Sequence, residues 1–130
     1  MSRRGDLRPP YARVRGLGSA KEGVQHWWMQ RLTALALVPL SLWLVASIVA
    51  HAGASYSEAR AWLGQPVTVG LMVLLLAATF HHAQLGLQVI IEDYVHHEGA
   101  KIAALILVKA AAIALALAGI LAVLFVAFGG

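Results

Sequence analysis

Three long apolar stretches dominate the chain. Leu32 to Ala50 runs for 19 residues without a charge, Val67 to Ile91 for 25, and Ile102 to Phe128 for 27 with Lys109 as the single charge. A helix needs about 20 apolar residues to cross a hydrocarbon core of roughly 30 Å, so each stretch is long enough to span a bilayer. Turn and cap residues separate them. His51-Ala52-Gly53-Ala54-Ser55 closes the first and Gly64-Gln65-Pro66 opens the second, while Glu92 to Lys101 links the second to the third. The pattern predicts an all-α integral membrane protein with three transmembrane helices, over about 27–50, 66–92 and 101–128. These form an anchor domain over 23–130 behind a basic N-terminal extension over 1–22.

Composition agrees. Hydrophobic residues make up 60% of the chain and charged ones 12%, with a mean hydropathy of +0.74, beyond the range of a soluble globular domain. Arg3, Arg4, Arg8, Arg13, Arg15, Lys21 and Arg31, set against Asp6 and Glu22, give the first 31 residues a charge of +5; the other 99 carry −1. Lys and Arg gathered before the first span place the N-terminus inside, the loop over 51–66 outside, the loop over 92–101 inside and the C-terminus outside. Such a flank suits anionic lipid, and no nucleic-acid partner is expected. No apolar core precedes residue 32, so a secretory signal peptide is a poor reading. The Arg-rich opening is short and runs almost directly into the membrane, which favours a bacterial inner membrane over a mitochondrial one. Ser2 to Gly18, with Pro9, Pro10 and three glycines, has too little apolar content to fold alone and is expected as an extended segment on a partner or on the membrane surface. The absence of cysteine removes disulfides, thiolate-bound clusters and cysteine nucleophiles, so a redox centre must hang on His or Met. In the third helix, alanines 110–112, 114, 116 and 118 with Gly119 allow close helix approach, and Lys109 is expected to extend its ammonium back to the inner interface.

Polar groups gather in the second helix: His81, His82, Gln84 and Gln88, ending in Glu92, Asp93 and Tyr94. Ionisable side chains at membrane depth are costly and mark ligands, ion paths or partner helices. His82 precedes Glu92 by ten residues, which at a rise of about 1.5 Å per residue places it roughly 15 Å from the inner boundary, near the midplane. A neutral imidazole there is a good axial ligand for haem iron, with a second ligand on another helix. Zinc is the weaker reading, since no third or fourth ligand lies at that depth. His82 has Ala78 one turn before it and Gly86 one turn after, leaving room for a macrocycle, whereas His81 is followed at that spacing by Leu85. Val89 and Asp93 fall on the His82 face, Asp93 within about 20°. This favours His82 as the ligand and His81 as a polar contact between helices or a hydrogen-bond donor to a neighbouring carbonyl. That both histidines only cross-link helices through hydrogen bonds is the alternative.

The string HHAQLGLQVIIEDYVHHEG over 81–99 resembles the second helix and following loop of the smaller of the two membrane anchors of succinate dehydrogenases, a cytochrome b-type hydrophobic chain. In that family a haem-ligand His is followed four residues later by Gly and eleven residues later by an Asp-Tyr pair, here His82, Gly86, Asp93 and Tyr94. GVQHWWMQRLTALAL over 23–37 is similar to the family's entry into its first helix, where an Arg near the inner interface meets a haem propionate; Arg31 holds that place. The resemblance spans 23–128 and leaves the Arg-rich start and the third helix without a specific match.

The resemblance implies an anchor of succinate:ubiquinone oxidoreductase, complex II, packed with the larger, second membrane anchor around a b-type haem. An iron-sulfur subunit and a succinate-oxidising flavoprotein subunit would complete the assembly. His82 would supply one axial ligand of haem b, Gly86 the space beside it, Arg31 a propionate contact, and Tyr94 with Asp93 part of the ubiquinone site. The isolated chain would then be inactive. Quinone reduction takes two electrons and two protons, so a phenol donor and an ionisable group at an inner helix end suit it. Simpler readings exist for several residues: topology for Arg31, interfacial anchoring for Trp27 and Trp28, and a solvated loop for Glu92, His96 and His97. The rival functions are the anchor of a quinol:fumarate reductase and a haem-free structural or proton-path membrane protein.

Overall fold

The computed structural model describes residues 10–129, with side chains described from Gly23 onward. Four helices carry nearly all of it: α1 (Pro10–Ala50), α2 (Tyr56–Leu63), α3 (Pro66–Tyr94) and α4 (Glu98–Phe128). No strand occurs among the described residues. Three segments are long and apolar enough to cross a membrane, Gly23–Ala50, Pro66–Tyr94 and Glu98–Phe128. The chain is therefore an all-α, multi-pass membrane protein.

The helices differ from the expected ones at their ends. Residues 10–18, expected as extended, form the start of α1. Pro10 stands at its first position, where a missing N–H is tolerated, and the Arg, Ala and Leu residues that follow are good helix formers. Residues 2–9 of that segment, like the remainder of the extension before them, lie outside the described residues. The loop after α1 holds a further helix, α2. Glu58 N–H donates to Ser55 Oγ at 3.2 Å and Ser55 N–H to Glu58 Oε2 at 2.8 Å, a reciprocal capping box. Trp62 of α2 lies against His51, with ring centroids 4.7 Å apart, and 6.1 Å from Trp43, which ties α2 to the end of α1. Gly53, with φ 82°, makes the intervening turn in a conformation that other residues rarely adopt. The second connection shrinks to residues 95–97, because α3 runs on to Tyr94 and His97 Nδ1 caps α4 by accepting from the Ala100 N–H at 3.0 Å.

α3 is the middle of the arrangement. Among the described residues, α1 and α4 each pack on it and not on each other, and α2 touches α3 and α4. The spans thus form a single layer rather than a closed bundle. Leu40, Leu75, Leu85 and Ile91 are the hydrophobic side chains buried among the described residues, too few for a core of the chain's own. Small residues set the α3–α4 approach: a Cβ on Gly119 would meet Leu76 Cδ2 at 3.1 Å. On the outer side of α1, Leu35, Leu42 and Val49 repeat every seven residues and stand 67–69% exposed, a stripe suited to lipid or to another membrane protein.

Candidate functional site

α3 has 29 residues and a length of about 43 Å, so His81 and His82 stand near its middle. Successive residues diverge by about 100° around a helix, and the two imidazoles serve different neighbours.

His82 turns toward α1. Its Nδ1 lies 3.0 Å from Thr33 Oγ1. Thr33 is buried, and its hydroxyl also bonds its own helix, with Met29 O at 2.7 Å and Gln30 O at 3.1 Å. One turn on, a Cβ added to Gly86 would lie 3.9 Å from Gln30 Nε2, an ordinary contact. Nothing in this chain demands glycine at 86, although glycine inside a helix costs roughly 1 kcal/mol relative to alanine. The side of α3 that carries His82 and Gly86 faces α1. Both remain partly exposed.

His81 turns toward α4. It lies with Ala77, Phe80, Gln84, Ala112 and Ala116 along an open groove of about 390 Å³. A smaller groove, about 170 Å³, places Lys109 beside Gln84 and Gln88; Gln88 Nε2 in turn donates to Glu92 Oε1 at 3.1 Å. His81 therefore stands at a helix interface and makes no hydrogen bond among the described residues, so the expected alternative of donation to a neighbouring carbonyl is not seen there.

The other sequence-derived residues lie apart from the His82–Thr33 pair. Arg31, two positions before Thr33 and so about 160° from it around α1, is exposed and holds its guanidinium over the Trp27 ring, 5.0 Å from the centroid. The indoles of Trp27 and Trp28 meet edge to face at 4.9 Å. Asp93 and Tyr94 end α3, both exposed, Tyr94 at 76%. Neither bonds another described side chain.

α1 adds residues that the second helix alone does not reveal. His26, Gln30 and Thr33 follow an i, i+4, i+7 spacing and form a polar stripe at the start of an apolar span, a signal visible in the sequence. Thr33 meets His82 and Gln30 lies by Gly86, the register of antiparallel neighbours. His26 Nε2 and Gln30 Oε1 are buried with no hydrogen-bond partner among the described residues. Each such atom costs about 1–3 kcal/mol until something satisfies it. No three His, Asp or Glu side chains converge among the described residues, so a metal bound by this chain alone lacks a ligand set there. A haem iron held between two chains asks one nitrogen of each.

Residues 6–128 match the family described as the succinate dehydrogenase/fumarate reductase transmembrane subunit. The chain is 33% identical over 120 residues to a succinate dehydrogenase hydrophobic membrane anchor subunit of Rickettsia bellii (strain RML369-C), covering 92% of this chain and 96% of that one. A succinate dehydrogenase membrane anchor subunit of Reclinomonas americana is 31% identical over 96 residues, 72% of this chain and 80% of that one. A succinate dehydrogenase hydrophobic membrane anchor subunit of Paracoccus denitrificans is 31% identical over 85 residues, 65% of this chain and 66% of that one. No solved structure matches the chain.

Proposed function

The chain belongs to the family of succinate dehydrogenase and fumarate reductase transmembrane subunits, and from that membership we propose that it anchors a succinate:ubiquinone oxidoreductase in a bacterial inner membrane, ligates one side of a b-type haem and forms part of the ubiquinone site. The names of the three relatives favour succinate dehydrogenase over fumarate reductase. A second membrane anchor, an iron-sulfur subunit and a succinate-oxidising flavoprotein subunit are its partners in this reading.

The observation that carries the proposal is the state of His82: a partly exposed imidazole at mid-span whose Nδ1 is engaged by Thr33 and whose Nε2 makes no hydrogen bond among the described residues. The surroundings suit a macrocycle. Gly86 withholds a side chain where nothing among the described residues requires it, and two buried polar atoms on α1 lack partners among them. When bound, the haem would supply a one-electron carrier. His82 would hold it through Nε2, and a second ligand would come from the other membrane anchor. Arg31 offers a planar, permanently charged fork suited to a propionate.

The quinone chemistry falls to the end of α3. Tyr94 donates its phenolic proton in a hydrogen bond to a quinone carbonyl oxygen, which stabilises the negative charge that grows there on reduction. Asp93, exposed beside it, exchanges protons with water and passes them inward. Tyr94→Phe keeps the ring and removes the donor. In the purified complex it should lower succinate-driven quinone reduction by roughly 10²-fold, the scale of losing one such donor, while succinate oxidation by an artificial acceptor stays at the wild-type rate. Equal losses in both assays would overturn the assignment.

A further inference from the structure

We propose that Thr33 is the positioning residue for His82: its hydroxyl fixes the imidazole as the Nδ1–H tautomer, turns Nε2 into the free electron-pair donor, and so selects His82 over the adjacent His81. The inference rests on the reading of His82 as a haem ligand and concerns which atom of this chain prepares it.

The argument is a proton count. A threonine hydroxyl has one proton and two lone pairs, while a backbone carbonyl only accepts. Thr33 Oγ1 lies 2.7 Å from Met29 O and 3.1 Å from Gln30 O, carbonyls that only accept, so its single proton is directed to its own helix, chiefly along the shorter line to Met29 O. Were it turned to His82 instead, Oγ1 would face both carbonyl oxygens with lone pairs only. With its proton spent on Met29, Oγ1 can only accept from His82, 3.0 Å away, and the ring nitrogen that approaches it must carry a hydrogen. A neutral imidazole protonated at Nδ1 has its lone pair at Nε2.

Rigidity and electronics follow from the same contact. Thr33 is β-branched, 7% exposed and bonded to the preceding turn of its helix, so the acceptor is held in place before any ligand arrives. An Nδ1–H···O bond also makes Nε2 a stronger donor, the role that outer-shell partners play for metal-bound histidines. His81 has no such acceptor among the described residues and faces the α3–α4 groove. Two neighbouring imidazoles of the same intrinsic chemistry are thereby distinguished by one hydroxyl on another helix.

The test compares complete purified complexes carrying Thr33→Val, Thr33→Ser and Thr33→Cys with wild type and His82→Ala, reading haem per complex, the haem midpoint potential and the ferric electron paramagnetic resonance spectrum. Thr33→Val preserves shape and removes the acceptor. It should weaken haem retention about 10–100-fold, shift the midpoint potential upward because a weaker donor stabilises ferric iron less, and alter the ferric spectrum. Thr33→Ser should restore all three. Thr33→Cys, with a weak sulfur acceptor, should fall between them. Wild-type haem content, potential and spectrum in Thr33→Val would overturn the proposal. If Thr33→Val does not assemble, Ser and Cys variants with the same potential would overturn it. A wild-type complex without a b-type spectrum, or a His82→Ala complex that keeps it, would remove the ligand reading itself. A spectrum lost in His82→Ala but untouched in Thr33→Val would remove only the role of Thr33.

Discussion

At the scale of single residues, positions that the packing among the described residues accounts for separate from those that it does not. Gly86 is the clearest. A Cβ there has room, 3.9 Å from Gln30 Nε2, so Gly86→Ala should leave the amount of assembled complex unchanged or raised, since alanine favours the helix by roughly 1 kcal/mol. On the proposed haem reading, haem per complex should fall, because the added methyl would take space beside His82. Wild-type haem content would contradict that reading of Gly86. Arg31 yields a second prediction. Its guanidinium now lies over Trp27, on the far side of α1 from Thr33, so a propionate contact has to be made outside this chain's own His82–Thr33 interface. Arg31→Leu should lower haem retention or shift its potential, and Arg31→Lys should recover the charge but not the two-pronged geometry. Unchanged haem content and potential in an assembled Arg31→Leu complex would leave Arg31 with a topological role only. His82 stands out in the sequence by its depth and small neighbours, and the structure adds its contact with Thr33. Thr33 is visible only as part of the polar stripe with His26 and Gln30; its partner is not, since that depends on which helix comes opposite, and no one-dimensional pattern states that.

At the scale of elements, the three spans are readable from length and hydropathy, while their ends and the short helix between two of them are not. α2 has eight residues, below the length at which periodicity speaks, although its Ser55-x-x-Glu58 capping box stands in the sequence as a start signal. The helical start at Pro10 is hidden by glycines and arginines that read as solvated chain. What hydropathy cannot supply at all is which helix sits between the others. α3 occupies that place, and Gly119 lets α4 reach it against Leu76. Gly119→Val should force Leu76 off its position and wedge the two helices apart. Overpacking of this kind costs about 1–3 kcal/mol, visible as a lower unfolding temperature of the complex. A substitution without effect on that temperature would mean that the approach at Gly119 contributes nothing.

At the scale of the whole molecule, a single layer of three helices cannot enclose a macrocycle. α1 and α4 do not meet, few side chains are buried, and apolar stripes such as Leu35, Leu42 and Val49 face outward. In the proposed reading the chain contributes half of a site: the His82 imidazole held at Nδ1, two buried polar atoms without partners among the described residues, and a tyrosine–aspartate pair at the end of α3. Produced without its membrane partner, it should hold no b-type haem, because the second axial ligand is missing. The most direct measurement is a reduced-minus-oxidised visible spectrum of the complex purified with its natural partners, comparing wild type, His82→Ala and His81→Ala. The account predicts a b-type spectrum in wild type and His81→Ala that is lost or displaced in His82→Ala alone. A spectrum lost only in His81→Ala, or no b-type spectrum in the wild-type complex, would contradict it.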